Sequence, residues 1–274
     1  MALGNTTQRV LVSFIAIPVI IAASYFGGVY FFLFAAFIAV VSFYEFCRFV
    51  KNKDIYPNLW AGIIFILLLL INEFFHYLDI YSLILLLIVL LTLFELFRNK
   101  GSAIINIGTT LLGILYVGFF SDALLSIREF YPRIEYLYVR GGYLIISILA
   151  TIWICDSAAF FGGISLGKHK LFPRVSPKKS WEGAAFGFVF AILSMLLAKV
   201  IILDFLSWSS VIILGIIIGT IGQIGDLIES LFKRDAGVKD SSSLIPGHGG
   251  IFDRFDSLLY TAPVILLYLK NFAY

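Results

Sequence analysis

Asp156 and Asp226 are carboxylates inside otherwise apolar runs, "YLIISILATIWICDSAAFFGG" and "VIILGIIIGTIGQIGDLIESLF". An ionised Asp at the centre of a membrane-crossing helix costs about 2.5–3.5 kcal/mol by insertion scales, so such residues face a bundle interior and have partners. Helical spacing groups the candidates. Asp226, Ser230 and Lys233 follow i, i+4, i+7 and share one helix face. Gly222 and Gly225, just before Asp226, let another backbone come close. Asp253 and Asp256 follow i, i+3 at the start of the last apolar run, with Arg254 beside them. Two helices can therefore present carboxylates to one site.

Carboxylate oxygens on facing helices, poor in His and Cys, suit a hard cation such as Mg²⁺, which takes one or two carboxylates and leaves room for substrate phosphate. Lys233, Arg234, Lys239 and Arg254 suit the phosphate oxygens of a ligand. The combination predicts metal-assisted phosphoryl chemistry, in which positioning and charge neutralisation do most of the catalysis. A second polar stretch, "GKHKLFPRVSPKKSWEGAAFG", carries five Lys and Arg and reads as a Ser-Pro-Lys-Lys turn leading into a helix near Ser180. Ser180 fits a helix cap and Glu182 complements the dipole of the first turn. Lys178 and Lys179 at a helix N-terminus make a site for phosphate or for anionic headgroups. A lone Asp156 also serves as a helix–helix hydrogen-bond partner, and His248 between glycines as a loop residue. Glu45 and Glu95, three residues before Arg48 and Arg98, read as exposed helix-end pairs without a role. Asp122, Glu73 and Glu229 receive no assignment.

The elements that must position these groups are membrane helices. Of 274 residues 61% are hydrophobic and 14% charged, with a mean hydropathy of +1.00, against roughly 45–50% and 25% in a soluble domain. Apolar runs near 20 residues long, the length that crosses a hydrocarbon core, recur along the chain. Nine spans are predicted, at 9–27, 29–49, 59–75, 78–97, 104–127, 143–165, 184–203, 209–229 and 256–272, giving an all-α polytopic helical bundle. If the spans alternate, 15 of the 20 basic residues fall on the side of the N-terminus. The positive-inside rule makes that side cytoplasmic and places the C-terminus outside, in the cell (inner) membrane. A hinge is expected at Gly27-Gly28, and no cleaved signal peptide. Cys47 and Cys155 lie in apolar segments and read as packing residues. Polar groups concentrate in the last four spans and their loops. Residues 1–130 are therefore expected to be mainly structural and 131–274 to carry the site.

The stretch "SLFKRDAGVKDSSSLIPGHGGIFDRFD", Ser230 to Asp256, resembles the signature of the phosphatidate cytidylyltransferases, or CDP-diacylglycerol synthases. The pattern is Ser, two positions, Lys-Arg, four positions, Lys-Asp, then Pro, His-Gly-Gly and Asp-Arg-x-Asp. "DSAAFFGGISLGKHKLFPRVSPKKSWEG", Asp156 to Gly183, resembles that family's second shared block. The resemblance implies an enzyme that joins CTP and phosphatidic acid to give CDP-diacylglycerol and pyrophosphate, with Mg²⁺ required. It puts Asp226 and Asp253 forward as metal ligands, supported by Asp256 or Asp156. Lys233, Arg234, Lys239 and Arg254 would hold phosphates, Asp240 belongs to the catalytic set, and His248 is a candidate to orient or protonate a phosphate. Ser230, Gly249, Gly250, Lys178, Lys179, Glu182 and Asp156 would line the substrates. Backbone N–H groups of "PGHGG" can approach a phosphate without a Cβ in the way. A cavity in the cytoplasmic half with a lateral opening follows, because phosphatidate leaves the bilayer only at about 0.8 kcal/mol per CH₂. No nucleic acid partner is expected, and a homodimer through a small-residue face is compatible with the sequence. A transporter would spread polar residues through the depth of several spans. The Asp-Gly-x-x-Ala-Arg pattern of CDP-alcohol phosphotransferases does not occur, and a polyprenol kinase would not need so long a signature.

Overall fold

The computed structural model describes residues 5–244 and 249–272, and for residues 5–11 the helical backbone alone. Among these residues the chain forms nine long helices: α1 (Asn5–Phe26), α2 (Gly28–Val50), α3 (Leu59–Phe75), α4 (Ile80–Arg98), α5 (Ala103–Arg128), α6 (Glu135–Leu166), α7 (Trp181–Ile201), α8 (Trp208–Asp235) and α9 (Phe252–Phe272). Helices α5 and α8 each contain a π-helical turn, at Ile114–Gly118 and Ile218–Gly222. Six helices, α2 and α4 to α8, are long and apolar enough to cross a membrane, while Val12–Phe26 and Leu59–Phe75 are shorter apolar helices. The chain is an integral membrane protein of helical type.

Each predicted span coincides with one helix, but several helices outrun their apolar segments. α6 begins at Glu135 and α8 continues to Asp235, because backbone hydrogen bonding continues after apolarity stops. Between α6 and α7 lies one departure from an all-α chain, an antiparallel hairpin of β1 (Lys170–Phe172) and β2 (Ser176–Ser180). The expected Ser-Pro-Lys-Lys turn is thus strand β2, and the reversal falls at residues 173–175. Ser180 does cap α7, its Oγ accepting from Gly183 N at 3.2 Å.

Phe31, Ala35, Ile38, Ala39, Phe43 and Phe46 of α2 are buried against α3, α5 and α9. Both cysteines are buried and free. The reading of Glu45 and Glu95 as exposed pairs is overturned, for they are 1% and 6% exposed. Glu95 does meet Arg98 at 3.1 Å, but it also accepts from Asn106 Nδ2 at 2.7 Å and so ties α4 to α5.

The hinge between α1 and α2 sits at Gly27 and Gly28, at φ 64° and 53°. Arg128, fully buried at the end of α5, closes it. Its guanidinium donates to Ser24 O at 2.5 Å and Tyr25 O at 2.9 Å, carbonyls in the last turn of α1, where intrahelical donors run out. It also donates to Tyr138 O at 3.3 Å and lies 4.2 Å from the Tyr138 ring centroid. Arg128→Met leaves those carbonyls buried without donors, at about 1–3 kcal/mol each. Thermal unfolding in detergent is expected to show a large loss of stability; an unchanged midpoint would mean that water satisfies these carbonyls.

Candidate active site

The polar residues of the last four helices meet in a cavity of about 1070 Å³. Its apolar wall includes Val12, Ala16 and Ile20 of α1, Phe34 and Phe37 of α2 and Ile164 of α6. Phe37 and Ile164 are 52% and 70% exposed, so this wall is open rather than sealed in the core. The same cavity is lined by Asp156, Asp226, Asp253 and Asp256, with Lys178, Lys179, Lys233 and Arg254. Asp240 of the α8–α9 loop completes it.

Local sequence explains how α8 and α9 come together here. The π turn Ile218–Gly222 disturbs the regular i to i−4 ladder, and Gln223 Nε2 donates to Gly219 O at 2.6 Å and across to Ala184 O of α7 at 3.0 Å. That anchor stands three residues before Asp226. At Gly225 a Cβ would lie 2.6 Å from Tyr260 Cβ and 3.1 Å from Asp256 O. The glycine thus lets α9 pack directly on α8 at the level where both carry their aspartates.

The charges form two groups. In the first, Lys179 Nζ meets Asp226 Oδ2 at 2.5 Å and Ser230 Oγ lies 3.4 Å from Asp226 Oδ1. Asp156 and Asp256 line the same cavity as Asp226. In the second, the buried Lys233 sits between Glu229 Oε2 at 2.6 Å and Asp253 Oδ1 at 2.5 Å. Glu229, unassigned by sequence, is fully buried. Asp253 Oδ2 receives Ser241 N at 2.9 Å and Gly250 N at 2.8 Å, with Ser241 Oγ at 2.9 Å.

These contacts redistribute the expected roles. Asp226, Asp253 and Asp256 do not form a ready-made trio, and among the described residues no three of His, Cys, Asp and Glu are set to enclose a metal ion. Both oxygens of Asp253 are held, one by Lys233 and one by donors of the loop. Asp156, Asp226 and Asp256 bring carboxylates from α6, α8 and α9 to the lining of one cavity, and among the described residues Asp226 is the one of the three in an ion pair, with Lys179. A Mg²⁺ ion among them would need further oxygen ligands to complete its shell.

Gly250 N faces Asp253 rather than an incoming phosphate. Gly249, at φ 80°, lies beside Asp253. Arg234 turns to the hairpin, donating to Val175 O at 3.3 Å and to Val238 O at 3.2 Å. Glu182 accepts from Lys168 N and from His169, whose Nδ1 is 2.6 Å away, and so holds the turn before β1. Lys239 is exposed, and His248 lies outside the described residues.

A family model described as the cytidylyltransferase family matches residues 7–272. The chain belongs to that family. Its members are nucleotidyltransferases, and curated relatives cover nearly its whole length. The phosphatidate cytidylyltransferase of Staphylococcus haemolyticus is 31% identical over 269 residues, 95% of this chain and 98% of the relative. The protein of the same name from Synechocystis sp. is 33% identical over 288 residues, 96% of each chain. That of Staphylococcus aureus strain COL is 33% identical over 267 residues, 95% and 98% of the two chains.

Besides Glu229, sequence reasoning misses Gln223 and Glu45 in the polar framework of the site. Gln223 was passed over because a π turn has no sequence period of its own. Glu45 of α2 was dismissed, yet it accepts hydrogen bonds from the far end of the chain, 196 to 207 residues away. A glutamate beside an arginine at a helix end gives no sign of such a partner.

Proposed function

We propose that the protein transfers CMP from CTP to phosphatidate, yielding CDP-diacylglycerol and pyrophosphate. The observation that carries this reading is the composition of one cavity. It joins apolar side chains of α1, α2 and α6 to carboxylates and lysines, as a reaction between a bilayer lipid and a polar nucleotide requires. The names of the full-length relatives point to the same substrates.

A phosphatidate oxygen attacks the α-phosphorus of CTP, a new P–O bond forms, and the α–β phosphoanhydride bond breaks with pyrophosphate leaving in line. The lipid phosphate is an anion at neutral pH, so no general base is needed. Lys178, Lys179 and Arg254 bind and orient the phosphates, and Lys233 keeps Asp253 and Glu229 neutralised behind them. Asp226, Asp256 and Asp156 would hold Mg²⁺, which when bound neutralises charge developing on the pyrophosphate. The apolar wall keeps the acyl chains in the bilayer while the headgroup enters. In this reading all nine helices cross the membrane, with the basic side and the cavity's polar end cytoplasmic. Helices α1 and α2 then belong to the lipid half of the site, beyond the mainly structural role expected of residues 1–130.

The test is product analysis with purified protein, phosphatidate in mixed micelles, CTP and Mg²⁺. CDP-diacylglycerol and pyrophosphate are expected in equal amounts and should vanish with EDTA. Absence of both products under every condition rejects the reading, and full activity in EDTA rejects the metal.

A further inference from the structure

Glu45 lies on α2, outside both sequence blocks that supply the cavity's charges, and is 1% exposed. Its Oε1 accepts from Ile251 N at 3.1 Å and Ser242 Oγ at 2.5 Å. Its Oε2 accepts from Phe252 N at 2.8 Å and stands 3.0 Å from Ser241 Oγ. Ile251 and Phe252 enter α9, and the first N–H groups of a helix lack intrahelical acceptors and attract negative charge. The carboxylate therefore ties Ser241 and Ser242, inside the loop that joins α8 to α9, to the loop's α9 end. A Cβ at Gly250 would collide with Ser241 Oγ and with both oxygens of Glu45, so the loop closes to a distance only glycine permits.

Ser241 connects this clasp to the site. Its N and Oγ both lie 2.9 Å from Asp253 Oδ2, and Asp253 Oδ1 holds Lys233 at 2.5 Å. Ser241 Oγ has one proton, which it shares between Glu45 and Asp253. Helix α2 meanwhile supplies Phe34 and Phe37 to the apolar wall, and Phe34 packs edge-on against Phe255 of α9, centroids 5.8 Å apart. One helix thus touches the lipid half of the cavity and fixes the loop beneath its polar half.

We propose that Glu45 is a positioning residue for nucleotidyl transfer: it clamps Ser241, Ser242, Ile251 and Phe252 to α2 and, through Ser241, sets the orientation of Asp253 and Lys233. The inference rests on reading the cavity as a CTP and phosphatidate site. Glu45→Gln keeps the side chain's shape but turns an NH₂ group toward converging donors. Glu45→Asp keeps the charge and shortens the reach, and Ser241→Ala removes the hydroxyl that Glu45 and Asp253 share while leaving the Ser241 N–H on Asp253 and Glu45 on the α9 terminus.

The experiment measures kcat and KM for CTP and phosphatidate, the folded fraction by size exclusion and thermal unfolding, and amide hydrogen exchange at Ile251 and Phe252. In folded protein, Glu45→Gln is expected to lower kcat by about 10- to 100-fold, the usual effect of residues that orient a site's ligands, with KM for phosphatidate little changed and faster exchange at both amides. Glu45→Asp should recover part of kcat. Ser241→Ala should lower kcat with near-normal thermal stability, and it keeps the idea testable if Glu45 variants do not fold. Wild-type kcat in folded Glu45→Gln or Ser241→Ala overturns the proposal, as does activity that falls only in step with the folded fraction. An inactive wild type would count against the substrate reading instead, while exchange at Ile251 and Phe252 would still decide whether Glu45 holds the loop.

Discussion

Asp226→Asn is expected to lower turnover by on the order of 10²–10³-fold, the scale seen when one preorganised electrostatic group is removed from a reacting centre. Asp226 is ion-paired with Lys179 at 2.5 Å and shares the cavity lining with Asp156 and Asp256. The amide preserves volume and the approach of Ser230 but removes one negative charge. Lys179, its ionic partner, is only partly buried and lines the cavity, so losing the pair leaves no sealed charge behind. Stability should therefore change little while kcat collapses. Wild-type kcat in this variant would remove Asp226 from the site.

Lys233→Met reverses that balance. Lys233 is 8% exposed and Glu229 fully buried, and the ammonium pairs with both Glu229 and Asp253. Removing one partner of a buried ion pair costs about 3–5 kcal/mol, because an uncompensated charge remains. Thermal unfolding should show a large loss of stability along with the loss of activity. Adding Glu229→Gln to Lys233→Met should return part of the stability and none of the turnover. Strictly additive destabilisation in the double variant would show that the two side chains do not interact. Asp253→Asn belongs with Lys233, since that carboxylate also holds Ser241 and Gly250. It should lose stability as well as activity, unlike Asp226→Asn.

The helices and the polar face were legible because their signals are local. Apolar runs locate each helix, and i, i+4, i+7 spacing correctly put Asp226 next to Ser230. Glycine before Asp226 likewise announces the close approach of another backbone, and at Gly225 that neighbour is α9, through Tyr260 and Asp256. What sequence could not supply is how charges share partners. Arg234 reads as a phosphate ligand, yet it serves carbonyls of the hairpin and of Val238. Asp253 reads as a free metal ligand, yet its oxygens are occupied by a lysine and a loop. Glu45 was invisible for the same reason at larger range, since its partners arrive only when the two ends of the chain meet.

The most direct measurement of the central claim follows the label of two CTP preparations, one carrying ³²P at the α-phosphate and one at the γ-phosphate, incubated with purified protein and phosphatidate. Transfer of CMP predicts that the α label enters the lipid fraction and the γ label appears in pyrophosphate. Gamma label in the lipid would mean a kinase, and no label in the lipid from either preparation would contradict the account altogether.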